Sequence, residues 1–116
     1  MALRTPNSLP LTEAFYYILL SLYAGPAHGY AIMQMTQQMS NGYVNLGAGT
    51  LYTALNTLLK KELIELSDEP AEVDSRRKVY ALTPDGSEIL RQELQRLERL
   101  VENGHRMING MEGEEP

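Results

Sequence analysis

The last third of the chain carries an apolar stripe longer than a small domain can cover. Leu90, Leu94, Leu97, Val101, Ile108 and Met111 step 4, 3, 4, 7 and 3 residues apart, with Gly104 at the one remaining seam position. This is a heptad pattern, the mark of a helix that packs along another helix. Thr83-Pro84 opens it with an N-cap and an N1 proline, and the pattern carries it to about Asn109. The chain has 116 residues, room for one small domain and this helix but not for a second core. A second copy of the chain would bury the stripe, so Leu90, Leu94, Leu97, Val101 and Ile108 are the expected dimerisation residues.

The elements before it are short. Residues 1–11 contain Pro6 and Pro10 and read as an N-terminal arm. Thr12 is a plausible N-cap for a helix to about Tyr23, apolar nearly all round and therefore central, and Gly25-Pro26 breaks it. A second helix begins near His28 and runs through Met39 to a turn at Asn41-Gly42. A third spans Thr50 to about Lys61, with Leu51, Leu55, Leu58 and Leu59 on one face. Its opposite face holds Thr53, Asn56, Thr57 and Lys60, with Tyr52 on the flank. Leu63–Ser67 and Lys78–Leu82 read as two strands around an acidic loop that closes on Ser75-Arg76-Arg77. The spacing predicts a winged helix-turn-helix over residues 12–83, a dimerisation helix over 84–110 and a disordered tail over 111–116. The fold class is mainly α with a small β-ribbon.

A formal charge of −5 opposes nucleic-acid binding at first sight, but it is an average. Four arginines and eight acids follow Thr83, so −4 of the total belongs to that segment. Before Lys60 only Arg4 and Glu13 are charged, and Arg76, Arg77 and Lys78 stand together at the ribbon end. In a winged helix the third helix presents its outer face to the major groove and the ribbon tip reaches phosphates beside it. Hydroxyls and amides suit base edges and backbone oxygens; a basic tip adds affinity by releasing counterions. A solvated helix face usually carries Lys and Glu, which favours the groove reading of Thr53, Asn56 and Thr57 over an idle surface. Tyr52 either packs between helices or touches a phosphate.

With these motifs in place, the chain resembles the PadR family of bacterial transcriptional regulators. The resemblance rests on His28-Gly29-Tyr30, on Gly49-Thr50-Leu51-Tyr52-Thr53-Ala54-Leu55, on Leu63-Ile64-Glu65, and on Arg76-Arg77-Lys78-Val79-Tyr80-Ala81-Leu82-Thr83 followed by Gly86. Leu11-Thr12-Glu13-Ala14 ahead of Ile18-Leu19-Leu20 fits as well, and the likeness extends over about residues 9–102. It implies a homodimeric repressor of the short subgroup, with one C-terminal dimerisation helix, bound to double-stranded DNA at an inverted-repeat operator. It further implies relief by a small aromatic or lipophilic effector at the dimer interface, for which Tyr16, Tyr17, Tyr23, Met107 and Met111 are the candidate lining. Carried over, the DNA-binding positions are Thr50, Tyr52, Thr53 and Asn56 with Arg76, Arg77 and Lys78; Thr57 and Lys60 join them from the helix face. Where the family usually has glycine after the recognition helix this chain has Glu62, so that helix either runs on or ends with strain. The loop Asp68–Asp74 is more acidic than the family pattern.

No cofactor, metal or membrane is expected as a partner. Two histidines, no cysteine and no convincing carboxylate pair or nucleophile motif argue against an enzyme. His28 reads as a capping or core residue, and the methionines as core filling. The longest apolar run is too short for a bilayer and no signal-peptide pattern opens the chain, so a cytoplasmic location is expected. Two other classes fit the same residues: a winged-helix module that binds another protein, and a ligand-binding dimer without regulated DNA binding.

Overall fold

The computed structural model describes residues 9–67 and 78–113. Thr12 caps the first helix, α1 (Glu13–Tyr23), accepting a hydrogen bond from Phe15 N at 3.1 Å. Ile18, Leu19 and Leu22 on α1 are buried, which makes this helix the centre of the domain. Next come a two-residue strand β1 (Ala27–His28), α2 (Gly29–Met39) and α3 (Ala48–Lys60). Strands β2 (Ile64–Leu66) and β3 (Val79–Leu82) lead into α4 (Pro84–Gly113). The core joins α1 to Ile32 of α2, Leu51, Leu55 and Leu58 of α3, Leu63, Ile64, Tyr80, and Ile89 with Leu90 of α4.

The sheet has three strands, not the expected two. It is antiparallel in the order β1-β3-β2, with Ala27 opposite Tyr80 and His28 opposite Val79 on one side. On the other side Ile64, Glu65 and Leu66 pair with Leu82, Ala81 and Tyr80. Two residues after a Gly-Pro break have no readable alternation; only the distant partner strand makes them β. His28 is therefore a strand residue as well as the N-cap of α2, and its side chain makes no capping hydrogen bond.

The turns after α2 and α3 end their helices alike. Asn41 has φ 54° after α2, with Asn41 N bonded to Gln38 O at 3.2 Å and Gly42 N to Gln37 O at 2.8 Å. Glu62 has φ 62° after α3, with Glu62 N on Leu59 O at 2.9 Å and Leu63 N on Leu58 O at 3.0 Å. These are Schellman closures. The helix therefore stops, and Glu62 occupies a left-handed position in which an L side chain other than Gly, Asn or Asp is costly. Replacing Glu62 by glycine relieves that cost, partly offset by a looser unfolded chain, so a gain of about 0.5–1 kcal/mol is expected. Urea denaturation at fixed protein concentration checks it; an unchanged or lower midpoint would contradict the strain.

Helix α4 is 30 residues, about 45 Å long, and its first turns are locked onto the domain. Thr83 Oγ1 donates to Glu62 O at 2.8 Å and accepts from Gly86 N at 3.0 Å, while Thr83 N donates to Leu63 O at 3.1 Å. Past Leu97 every residue through Met111 is exposed, so the helix projects from the body. A radius of gyration of 17.2 Å, against about 13 Å for a compact chain of this length, records that projection. The helix extends to Gly113, beyond the boundary near Asn109 expected from the pattern. None of the described helices is long and apolar enough to cross a membrane.

One carboxylate is buried where α4 leaves the domain. Glu93 is 1% exposed; Arg96 Nε donates to its Oε1 at 2.7 Å, and Arg96 Nη2 and Leu11 N donate to its Oε2 at 2.9 and 3.0 Å. Hydrogen bonding from Arg96 outweighs burial and holds the carboxyl below its ordinary range. A carboxyl that ionises more readily folded than unfolded stabilises the fold above the ordinary carboxylate range. That contribution disappears as pH falls through the lowered folded value. Melting midpoints taken at successively more acid pH should fall in the wild type and less steeply in Glu93→Gln; parallel curves would contradict this.

Candidate nucleic-acid interface

Helix α3 divides cleanly. Leu51, Ala54, Leu55 and Leu58 are buried, and Thr50, Thr53, Asn56 and Lys60 are exposed on the other side. It starts at Ala48, two residues before the expected Thr50, so Gly49 lies in its first turn. Gly47 is the N-cap and supplies no side-chain hydrogen bond, and the first turn contains no acid. No acid of its own first turn therefore offsets the positive end of the helix dipole. Thr57 is half-buried and its hydroxyl donates to Thr53 O at 3.1 Å, which commits its proton to the helix itself. Thr53, Asn56 and Lys60 thus have freer side chains than Thr57.

Tyr52 takes up the packing alternative that the sequence left open, and part of it stays at the surface. It remains 41% exposed, yet its hydroxyl end lies over Gly29 at the start of α2. A Cβ at position 29 would come within 2.5 Å of that hydroxyl and 3.2 Å of Leu51 Cδ2, so only glycine admits Tyr52 there. Beneath it Tyr80 is buried, and burial, then the neighbouring Tyr52, pushes the Tyr80 hydroxyl upward in pKa. The His28-Gly29-Tyr30 and Gly49–Leu55 motifs therefore meet in space.

Two further exposed tyrosines lie outside the expected DNA-binding set. Tyr43, in the connection from α2 to α3, is 92% exposed, and Tyr30 is 62% exposed with its hydroxyl accepting from Gln34 Nε2 at 3.3 Å. A tyrosine beside Gly and Asn in an uncharged loop was the available signal. Lys78 is exposed immediately before β3, while Arg76 and Arg77 lie outside the described residues.

The expected dimerisation stripe splits at the domain edge. Leu90 is 5% exposed and belongs to the core of its own chain, which removes it from the set free to meet a partner. Leu97 is half-buried. Leu94, Val101 and Ile108 are 45–58% exposed, and Leu100, absent from the expected set, is 54% exposed.

The five candidate effector residues form two groups within one chain. Tyr16 and Tyr17 meet edge to face with centroids 6.0 Å apart, and burial, then the Glu93 charge, raises the Tyr16 hydroxyl pKa. Tyr23 accepts from Arg91 Nη2 at 3.2 Å, with the guanidinium 5.7 Å from its ring centroid. Met107 and Met111 lie 16 and 20 positions beyond Arg91, about 24–30 Å along α4, and are exposed. No single chain brings all five around one cavity.

The model of the transcriptional regulator PadR-like family matches residues 18–92. The fold resembles a PadR family transcription regulator from hypervirulent Clostridium difficile R20291, 26% identical, with a TM-score of 0.66 over 84% of this chain and 98% of that one. RosR of H. salinarum is 27% identical, with a TM-score of 0.62 over 86% of this chain and 98% of its own. A transcriptional regulator from Clostridium thermocellum shares the fold at 24% identity, with a TM-score of 0.68 over 80% and 87% of the two chains. A 37.1 kDa protein of transposon TN4556 from Streptomyces fradiae is 39% identical over 88 residues, which are 76% of this chain and 24% of that protein. The chain thus spans about a quarter of that relative's length.

Proposed function

Because the chain belongs to the PadR-like family of transcriptional regulators, DNA-binding proteins and not enzymes, we propose that it is a homodimeric repressor of an inverted-repeat operator. In this reading residues 12–83 bind DNA and residues 84–110 pair with the same helix of a second copy. The observation that carries it is α3: an exposed face of Thr50, Thr53 and Asn56 without a carboxylate, with Lys60 exposed at its C-terminal end. Short donors and acceptors on a helix suit base edges and phosphate oxygens, and a two-fold pair offers two such helices to successive major grooves about 34 Å apart. The exposed apolar residues of α4 beyond Leu97 supply the surface for that pair. Relief by a small aromatic or lipophilic compound is supported by the Tyr16–Tyr17 ring pair on α1 and by Tyr23, which lies against Arg91 near the base of α4.

Titration of a fluorescent duplex from the DNA upstream of the chain's own gene tests this reading. Arg76→Glu with Arg77→Glu replaces two phosphate-seeking cations per subunit by repelling charges. Affinity at low salt is expected to drop at least about a hundredfold with the dimer intact. Binding by the doubly reversed chain at wild-type strength would remove the wing from the interface. A wild type that binds no duplex even at low salt would favour the protein-binding module.

A further inference from the structure

We infer that Glu93 is a positioning residue for DNA recognition: it fixes the angle at which α4 leaves the domain and thereby the separation of the two α3 helices in the dimer. The inference rests on the dimeric reading above. Glu93 is the one buried carboxylate or cationic side chain among the described residues. It stands at the exit of the helix: Ile89 and Leu90 before it are in the core, and Leu94 after it is already 45% exposed. Its two oxygens tie three places together. Oε2 receives Leu11 N from the segment that enters α1, and both oxygens receive the guanidinium of Arg96, one turn further along α4.

An apolar residue here would hold the helix through contacts that tolerate rotation, because hydrophobic burial has no preferred direction. Three hydrogen bonds to one carboxylate do have direction, and a forked arginine contact sets both distance and plane. The angle matters because the helix is a lever. From Glu93 to Gly113 it runs about 30 Å, so a tilt of about 10° at the base moves the far end by about 5 Å, more than one base-pair step. A partner clasped along that lever carries its own α3 with it.

The chain contains no cysteine, so Gln38→Cys on the exposed side of α2 gives one spin-label site per subunit. Pulsed electron-electron distance measurement on the full chain should give one narrow inter-subunit distance. With Glu93→Gln, which keeps an acceptor for Leu11 N but loses the charged fork, the distribution should at least double in width. Arg96→Lys, which keeps charge, carboxylate and helix, should broaden it less; it decides the matter if Glu93→Gln fails to fold. Operators whose half-sites are moved apart by one base pair should bind the wild type at least about tenfold more weakly than the best spacing, with that penalty largely lost in Glu93→Gln and reduced in Arg96→Lys. Unchanged distances and unchanged spacing preference in a folded variant would overturn the role of Glu93 alone. A wild type without any inter-subunit distance would overturn the dimer, and this inference with it.

Discussion

Val101→Glu combined with Ile108→Glu is expected to give a folded monomer that holds a single operator half-site weakly. Both side chains are more than half exposed on the projecting part of α4, so neither contributes to the core of its own chain. In a pair each loses about 1 kcal/mol of burial, and seating a carboxylate among apolar neighbours costs at least as much again. Four such positions in a symmetric pair come to about 8 kcal/mol, more than five decades in the dimer constant. Loss of the second half-site then lowers operator affinity by about 10²–10⁴, because the second α3 no longer arrives at high effective concentration. Sedimentation velocity and duplex titration measure the two consequences together. Gln95→Glu, on the exposed surface of the same helix, should leave both unchanged. A double variant that remains dimeric would show that the stripe serves something other than self-association.

Gly86→Ala is the second large effect, and it acts on the fold. Gly86 lies buried in the first turn of α4, where a Cβ would overlap the Leu63 carbonyl oxygen and come within 2.9 Å of Leu82 Cδ1. The overlap is with backbone, so no side-chain rotation relieves it. The start of α4 would have to lift away from Leu63, breaking the Thr83 N–Leu63 O and Thr83 Oγ1–Glu62 O bonds. Overpacking of about 1–3 kcal/mol with two hydrogen bonds of about 1 kcal/mol each gives a loss of about 3–5 kcal/mol. For a domain of this size that is a melting temperature lower by roughly 12–20 °C, compared at equal protein concentration. Gly110→Ala, where a Cβ meets nothing within 4 Å, should not destabilise and sets the baseline. An equally stable Gly86→Ala chain would mean that α4 does not press on Leu63 as described.

Most of the helices were legible because their signals are local. Thr12, Asn41-Gly42 and Thr83-Pro84 mark helix ends through bonds to residues within a turn or so of chain. The leucines of α3 declare its inner face by spacing alone, and the polar outer face follows by elimination. Where pattern reading stopped short, the deciding partner was remote. Ala27-His28 is a strand because β3 lies beside it. Leu90 has the heptad spacing of Leu94, yet the core of its own chain takes it inward. Glu93 looks like any solvent-facing acid of an amphipathic helix until Leu11, 82 positions away, is found hydrogen-bonded to it.

The sequence by itself thus determined the order of the four helices and of the two wing strands, the family, the uncharged outer face of α3 and the existence of an apolar stripe too long for one domain. These follow from periodicity and capping, which depend on neighbours a few residues apart. Tertiary structure decided where the stripe becomes free, how Glu62 ends α3 in a left-handed turn, which side chain lies over Gly29, why Gly86 must be glycine, and which acid stands at the root of α4. Each of those depends on distances between segments far apart in the chain, set by packing and by hydrogen bonds that exist only once the fold has formed.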